Sequence, residues 1–180
     1  CMKRFYVNTP PPDIRSFSIS PLSSPTDPLI PQVIALHRST FPSGLLSRLG
    51  EELITSYYSR MIDSSACRVL VCVDENQSRL LGFISFTTDN TSPSLAKVMS
   101  KAKKLALREL LSLRLSPLIA LRALIKSIKG RPVHGMPELL SIAVDPACRR
   151  LGIGKQFLSM MEEHLTAQGY SHYCVFTDNE

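Results

Sequence analysis

The sequence predicts an α/β (α+β) domain in which one mixed central sheet is flanked by helices. Apolar runs that fit buried strands recur along the chain, and they alternate with segments of helical periodicity. A turn with two glycines joins one of these strands to a helix. The chain has 180 residues, of which 44% are hydrophobic and 20% charged. This length and composition fit one folded domain, 1–180, with a sizeable core.

The first third of the chain predicts one strand and two helices. Residues 8–31 are rich in proline and are therefore mostly extended or loop. Within them, residues 14–20 alternate apolar and polar side chains, which predicts a first strand. A proline then begins a helix over 31–40, and a turn-rich connection follows over 41–50. Two glutamates in the first turn support a second helix over 51–63.

The remaining regular elements read as strand, strand, strand, helix and strand. Residues 67–74 and 80–88 are apolar runs separated by a short polar turn, which predicts a hairpin. Residues 138–144 predict a further strand. The helix after the two glycines ends at Gly169, and 171–177 predict the last strand. The whole order is β-α-α-β-β, an insert, and then β-α-β.

The insert spans residues 90–137, between the third and fourth strands, and predicts two basic helices joined near Pro117. Residues 97–131 contain ten Lys or Arg and only one acidic residue, whereas the whole chain has a net charge of +6. Three interpretations stay open: a solvated helical hairpin, a lid over an anionic substrate such as a nucleotide-sugar, or a contact with anionic membrane. Nucleic acid is disfavoured, because the insert has no aromatic side chain to stack on bases.

Cysteine usage predicts a reducing, cytoplasmic environment. The five cysteines form no CxxC pair, and Cys67 and Cys72 lie in an apolar run where they fit as small buried side chains. We therefore predict no disulfide framework and no metal site. The sequence contains no stretch of about 18 uncharged apolar residues, so it predicts no membrane-spanning helix.

The stretch VDPACRRLGIGKQF, residues 144–157, combines glycines and basic residues at the start of a helix. Glycines at 152 and 154 let a ligand approach the backbone without a Cβ clash. The unpaired N–H groups of a helix start bind anions, and Arg149, Arg150 and Lys155 add positive charge. These features predict a pyrophosphate cradle, although a tight strand–helix turn with solvated arginines also fits them. The spacing is neither a Walker loop nor a dinucleotide fingerprint.

The longer stretch ELLSIAVDPACRRLGIGKQFL resembles the coenzyme-A-binding motif of the GNAT N-acetyltransferases, [R/Q]xxGx[G/A] after a strand that ends V-x-P. Arg149, Gly152 and Gly154 occupy the fixed positions of that motif. The flanks match at Val144, Pro146 and Leu158. Downstream, VFTDN resembles the fifth strand of the family and the Asn that follows it. The resemblance implies a GNAT-like fold and transfer of acetyl from acetyl-CoA to a primary amine.

The resemblance also implies which residues bind the acetyl-CoA cosubstrate. The backbones of Ile142 and Val144 would pair with the pantetheine arm like an added strand. The N–H of Ile142 or Ala143 would polarise the thioester carbonyl, and Asn179 would lie beside the cosubstrate. The pyrophosphate would be bound by the loop and helix start, which comprise Arg149, Arg150, Leu151, Gly152, Ile153, Gly154 and Lys155.

Catalysis of this kind needs a base, because a protonated amine cannot attack a thioester. Glu138 begins the fourth strand and matches the position of the catalytic glutamate in the histone-acetylating members of the family. At the edge of an apolar cleft its pKa would rise toward neutrality; an exposed glutamate at a strand start fits equally well. His134 is a second candidate. The tyrosine acid of many members would fall beyond Glu180, together with the following helix and the last two strands, so either the sequence is a fragment or the protein is incomplete.

The connection between the first two helices usually shapes the acceptor pocket in this family. The stretch HRSTFPSGLLSRLGEELITSYY, residues 37–58, is similar to a bacterial subgroup associated with surface-polysaccharide synthesis, which implies an amino-sugar acceptor. A protein N-terminus or lysine, a non-catalytic coenzyme-A-binding or membrane-docking module, and a homodimer all stay open. Candidate wall residues are Phe41, Leu45, Leu46, Tyr57 and Tyr58, with Arg48 and Glu51 as polar groups; core packing is the alternative for Leu49, Leu53 and Tyr57.

Overall fold

A computed structural model describes residues 16–48, 50–76, 78–88 and 136–175, without the side chains of Leu45 and Arg48. Its strands form one sheet in the order β1-β2-β3-β4-β5, in which only the β4–β5 pair is parallel. The strands are β1 (Phe17–Pro21), β2 (Cys67–Asp74), β3 (Arg79–Thr87), β4 (Glu138–Val144) and β5 (Cys174–Val175). The predicted mixed sheet flanked by helices is confirmed.

Helices cover both faces of this sheet. The described helices are α1 (Ile30–Thr40), α2 (Leu45–Arg48), α3 (Glu51–Asp63) and α4 (Ile153–Ala167). Val69 and Val71 of β2 pack with side chains of α1 and α3, whereas Leu70 and Cys72 pack with side chains of α4. Because successive strand residues point to opposite faces, these two clusters lie on opposite sides of the sheet. We call them the α1/α3 face and the α4 face.

Most element predictions hold, and three need correction. Three elements, α3, β2 and β4, have the predicted bounds, and the hairpin of β2 and β3 is confirmed. The connection over 41–50 contains one helical turn, α2. The first described strand begins at Phe17, later than predicted. The last strand begins at Cys174, not 171, because Tyr170 still donates its N–H to Leu165 O and closes the end of α4.

Strand β4 carries a bulge near its start. Ser141 pairs with Ser85 and Leu139 pairs with Phe86, so Leu140 is an extra residue on β4. A bulge of this kind disturbs the strict alternation of side chains between the two faces. Leu140 accordingly packs on the α1/α3 face, and the side chain of Ser141 lies close to Tyr58 on that same face. The bulge therefore brings a polar side chain of β4 to the α1/α3 face.

Gly82 of β3 lies against both β4 and α4. It pairs with Val144, the last residue of β4. A Cβ added at Gly82 would lie 2.8 Å from the carbonyl oxygen of Ala143 and 3.2 Å from Cε2 of Phe157. Phe157 is fully buried on the α4 face. Only a residue without a side chain lets α4 dock this closely on the end of β4.

We expect Gly82→Ala to lower the free energy of unfolding by about 1–3 kcal/mol, because the backbone of β4 must shift to admit the new methyl group. Urea unfolding of the variant measures this loss. Gly154→Ala is the matched control, since a Cβ there meets nothing within 4 Å. Alanine favours a helix over glycine by about 1 kcal/mol, so the control should be neutral or stabilising. Equal unfolding midpoints for the two variants would contradict the close packing at Gly82.

Several predictions fall outside the described residues. The insert is described only at its last two residues, 136–137, so its two helices and its three interpretations stay predictions. The same holds for the assignment of 1–180 to a single domain. Among the described residues, no helix is long and apolar enough to cross a lipid bilayer.

Candidate active site

The double-glycine stretch forms a tight loop between β4 and α4. A single 3₁₀ turn, Pro146–Cys148, follows β4, and its entry is capped by Asp145, whose side chain accepts a hydrogen bond from the Ala147 N–H at 2.9 Å. Arg150 then has φ +68° and Gly152 has φ +82°. Two left-handed residues within three positions turn the chain sharply, so α4 begins directly beside the end of β4. We call residues 149–155, the stretch predicted to bind a diphosphate, the diphosphate loop.

The diphosphate loop presents unpaired amide groups and positive charge. The first hydrogen bond of α4 runs from the Gln156 N–H to Gly152 O at 3.0 Å. The N–H groups of the three preceding residues, 153–155, therefore have no acceptor within the helix. Arg149, Arg150 and Lys155 are exposed around them. Amides, helix dipole and cationic side chains thus favour an anion at the same place.

Neither glycine of the loop is needed to avoid an internal clash. A Cβ at Gly152 or at Gly154 would meet no protein atom within 4 Å. The open space at both positions lies outside the fold, where a ligand can approach the backbone. Gly152 has the additional role of adopting a left-handed conformation that other residues reach only with strain.

Strand β4 connects the diphosphate loop with the other candidate residues. One edge of β4 pairs with β3 along nearly its whole length. On the other edge, the described part of β5 pairs only with Glu138 and Leu139. Among the described residues, the edge of β4 from 140 to 144 therefore has no strand partner. Ile142 and Val144 lie on this stretch, as the predicted pantetheine contact requires. The N–H of Ala143, like that of Asp145, is directed at β3, so Ala143 cannot polarise the thioester carbonyl as predicted.

Glu138 lies at the opposite end of β4 from the loop. Its N–H donates to Thr87 Oγ1 at 2.8 Å, which anchors the start of the strand. The side chain is half-buried, and burial raises the pKa of its carboxyl above the usual 4.5. With a rise of about 3.3 Å per residue, six residues place Glu138 about 20 Å from Val144. The two ends of β4 are therefore far enough apart to contact the two ends of an elongated ligand.

A buried polar group lies on the α1/α3 face next to the β4 bulge. Tyr58 of α3 is fully buried, and its hydroxyl is 2.7 Å from Nδ1 of His37 on α1. Burial and the neighbouring Tyr57 raise the pKa of Tyr58 well above 10.0, and the nearby hydroxyls of Ser141 and Ser85 oppose this shift. Within the described residues, the buried Ser85 hydroxyl makes no hydrogen bond of good geometry.

Tyr57 contacts Tyr58 of this polar group and also interacts electrostatically with Glu138. Burial raises the pKa of Tyr57 above its usual range, and the charges of Cys67 and Glu138 contribute further. The rings of Tyr57 and Tyr58 meet edge to face at 5.6 Å. The α1/α3 face beside Glu138 is therefore aromatic with a few hydroxyl groups.

The structure separates the predicted acceptor residues into two groups. Tyr57, Tyr58 and Leu53 are buried in the core, while Phe41 and Leu46 are partly buried against it. Glu51 is exposed, and its carboxylate lies 3.4 Å from the Arg38 guanidinium. The side chains of Leu45 and Arg48, together with Leu49, His134 and Asn179, lie outside the described residues.

Two polar features of the site were not predicted. Arg79 of β3 lies 2.7 Å from Asp145, although 66 residues separate them in the chain. The contact of His37 on α1 with Tyr58 on α3 was not predicted either. No local pattern reveals either contact, because both depend on how distant elements pack. No group of three His, Cys, Asp or Glu in the described ranges is arranged to hold a metal ion.

A family model described as the acetyltransferase (GNAT) family matches residues 30–180. The match covers most of the chain, including α1 to β5 and the whole diphosphate loop. The family match and the fold thus define an acetyltransferase, and the chain belongs to the GNAT family. This family uses acetyl-CoA as the acetyl donor. No curated protein matches the sequence significantly.

Solved structures with the same fold are acetyltransferases of low sequence identity. An aminoglycoside acetyltransferase from an uncultured soil metagenomic sample, crystallised with trehalose, is 17% identical, with a TM-score of 0.52 over 90% of this chain and 78% of that one. The 6′-N-acetyltransferase AAC(6′)-Ih from Acinetobacter baumannii is 12% identical, with a TM-score of 0.55 over 91% and 80%. AAC(6′)-Iy, in complex with the bisubstrate analogue CoA-S-monomethyl-acetylneamine, is 11% identical, with a TM-score of 0.56 over 92% and 82%.

Proposed function

We propose that the protein transfers the acetyl group of acetyl-CoA to a primary amine of a small molecule, with an amino sugar as the acceptor class. The observation that carries this proposal is the diphosphate loop, with its three unpaired N–H groups beside exposed basic side chains. It supports binding of the diphosphate of coenzyme A, because the N–H groups of a helix start and the nearby basic side chains both stabilise a doubly charged anion.

In this proposal, each end of β4 has a separate task. The backbones of Ile142 and Val144 bind the pantetheine arm along the β4 edge that has no described strand partner. In this arrangement the N–H of Ile142 donates to the thioester carbonyl and stabilises negative charge on its oxygen. Asn179 contributes a further contact after β5. The acetyl group is thereby directed toward the Glu138 end of the strand.

Glu138 is the proposed general base. When bound, acetyl-CoA supplies an activated acetyl group as a thioester. Glu138 accepts a proton from the acceptor ammonium, directly or through a water molecule, so that the amine nitrogen can form the new C–N bond. The C–S bond then breaks, coenzyme A leaves as its thiolate, and the second proton that the nitrogen loses ends on that thiolate to give the free thiol. Burial raises the pKa of Glu138, which makes it a better proton acceptor near neutral pH than an exposed glutamate.

The relatives in fold support a small amino-sugar acceptor over a protein. Structures of similar fold include aminoglycoside acetyltransferases. Assaying thioester loss from acetyl-CoA with a panel of amino sugars, aminoglycosides and peptides would identify the acceptor class. Turnover with peptides alone would contradict the amino-sugar proposal.

Gly152→Ala tests the diphosphate loop, and Gly169→Ala is its matched control. Both glycines have a left-handed φ, of +82° and +86°, and a Cβ at either meets nothing within 4 Å. Each substitution should therefore cost about 1–2 kcal/mol of stability. Only Gly152 lies in the loop, so we expect only Gly152→Ala to raise the Kd for coenzyme A, by about tenfold or more, since small misplacements of binding groups are costly.

Calorimetry with coenzyme A measures both variants and the wild type. If the wild type bound no coenzyme A at millimolar concentration, the proposed function would fail. If Gly152→Ala and Gly169→Ala bound coenzyme A equally well, the loop would not be the diphosphate site. A wild type that binds coenzyme A but consumes no thioester with any amine would instead be a binding module.

A further inference from the structure

Arg79 connects β3 to the turn that enters the diphosphate loop. Its Nη2 donates to Asp145 Oδ2 at 2.7 Å and lies 3.5 Å from Cys148 Sγ. Asp145 precedes the 3₁₀ turn and Cys148 is its last residue. A single guanidinium nitrogen therefore contacts both ends of the turn. The residue after Cys148 is Arg149, where the diphosphate loop begins.

Asp145 is held from three directions. Its N–H donates to Leu81 O of β3 at 2.8 Å, and its carbonyl accepts from the Cys148 N–H at 2.8 Å. Its second carboxylate oxygen accepts from the Ala147 N–H. The Arg79 contact thus completes a set of bonds that join the turn to the sheet. Cys148 is fully buried on the α4 face and anchors the far end of the turn.

The Arg79–Asp145 pair is suited to positioning more than to overall stability. Both side chains are about one-third exposed, so solvent screens their attraction and the net contribution to folding is small. The short charge-assisted bond nevertheless fixes direction. We expect its effect on the conformation of the two left-handed residues that follow the turn, Arg150 and Gly152.

We propose that Arg79 is a positioning residue for the diphosphate loop: it holds both ends of the 146–148 turn so that the N–H groups of 153–155 converge on the diphosphate of the donor. This inference rests on the proposed function, because it concerns the same cosubstrate. Arg79 itself does not contact the donor; it acts through Asp145 and Cys148.

The test compares Arg79→Met with Arg38→Met. Arg38 also pairs with a carboxylate, at 3.4 Å from Glu51, but lies on α1 away from the loop. We expect Arg79→Met to raise the Kd for coenzyme A in calorimetry by about tenfold, as expected for misplaced binding groups. Arg38→Met should leave the Kd unchanged. Asp145→Asn should match Arg79→Met, because the amide keeps the bond to Ala147 and loses only the ion pair.

A donor without a diphosphate separates positioning from general damage. With the best amine from the acceptor panel, Arg79→Met should lower kcat/KM for acetyl-CoA by about tenfold, mainly through KM, and leave kcat/KM for acetyl-pantetheine within about twofold of the wild type. Arg79→Lys should restore part of the loss. The double variant Arg79→Met/Asp145→Asn should lose no more than either single variant, since both remove one interaction.

The outcomes are distinguishable. Equal losses with acetyl-CoA and acetyl-pantetheine would show that Arg79 only supports the fold and would overturn the proposal. An unchanged Kd for coenzyme A in a folded Arg79→Met would overturn it as well. Failure of the wild type to bind coenzyme A would instead reject the proposed function, before any variant is compared.

Discussion

Glu138→Gln is expected to lower kcat/KM for amine acetylation at pH 7 by about 10²–10⁴-fold, the usual contribution of a positioned general base. Glutamine has the same size and keeps the strand start intact, because the anchoring bond to Thr87 uses the backbone N–H of residue 138. It cannot accept the proton of the ammonium. The effect should appear in kcat, since the carboxylate acts on the reacting nitrogen and not on donor binding.

The pH profile provides a second measurement of the same prediction. A base works only when ionised, so the wild-type rate should rise with pH through the pKa of Glu138. Burial raises that pKa above 4.5, so the acidic limb should lie above the range of an exposed glutamate. In Glu138→Gln this limb should disappear, and the remaining dependence should follow the acceptor amine.

Glu163→Gln is the matched control for this substitution. Glu163 is exposed on α4 and bonds only to Ser159 in the described structure, at 3.1 Å. The control should keep both the wild-type rate and the wild-type profile. An unchanged rate and an unchanged acidic limb in Glu138→Gln would remove Glu138 as the base.

The second large effect concerns the stability of the α1/α3 face. His37 is buried among the rings of Phe41, Tyr58 and Phe83, and burial lowers its pKa from 6.5 to about 4. In the unfolded chain the imidazole binds a proton more readily than in the native state. Stability from this group is therefore fully present above about pH 6.5 and is lost as the pH falls toward 4.

The loss attributable to His37 should be on the order of 3 kcal/mol once the pH reaches 4, since each unit of pKa shift corresponds to about 1.36 kcal/mol. Urea unfolding of the wild type and of His37→Gln at pH 7 and pH 4 measures it. Glutamine keeps a hydrogen-bonding group for Tyr58 but does not titrate. Carboxylates also titrate in this range, so the quantity of interest is the difference between the two proteins.

His172→Gln controls for the removal of a histidine as such, because His172 is exposed between α4 and β5. It should lose as much stability as the wild type on acidification. His37→Gln should be less stable than the wild type at pH 7 but should lose less between pH 7 and 4. The prediction would be wrong if all three proteins showed the same loss.

Local patterns predicted the elements that carry their own signals. Helix α3 and strands β2 and β4 have the expected bounds, because acidic first-turn residues and uninterrupted apolar runs mark them without reference to the rest of the chain. The diphosphate loop was predicted for the same reason, since its glycines and basic residues are contiguous. The two left-handed residues of the loop, Arg150 and Gly152, confirm that it is a sharp turn.

Local sequence patterns did not predict the features of secondary structure that depend on contacts with a distant element. The last strand begins at Cys174 because the end of α4 holds the chain until Tyr170, a bond that no strand pattern reveals. The one-turn helix α2 lies in a stretch whose turn-forming residues favour a loop. The bulge at Leu140 depends on the register between β3 and β4, which alternation along one strand cannot determine.

Local sequence alone was enough to predict the mixed sheet, a strand–loop–helix suited to bind an anion, and Glu138 as a candidate base, because each of these depends on residues that are neighbours in the chain. Only the tertiary structure decided that Arg79 holds the turn at Asp145, that His37 meets Tyr58, and that Gly82 must lack a side chain. These features arise where segments far apart in the chain come within van der Waals or hydrogen-bond distance. Such contacts follow from packing in three dimensions and leave no periodic or contiguous trace in the sequence.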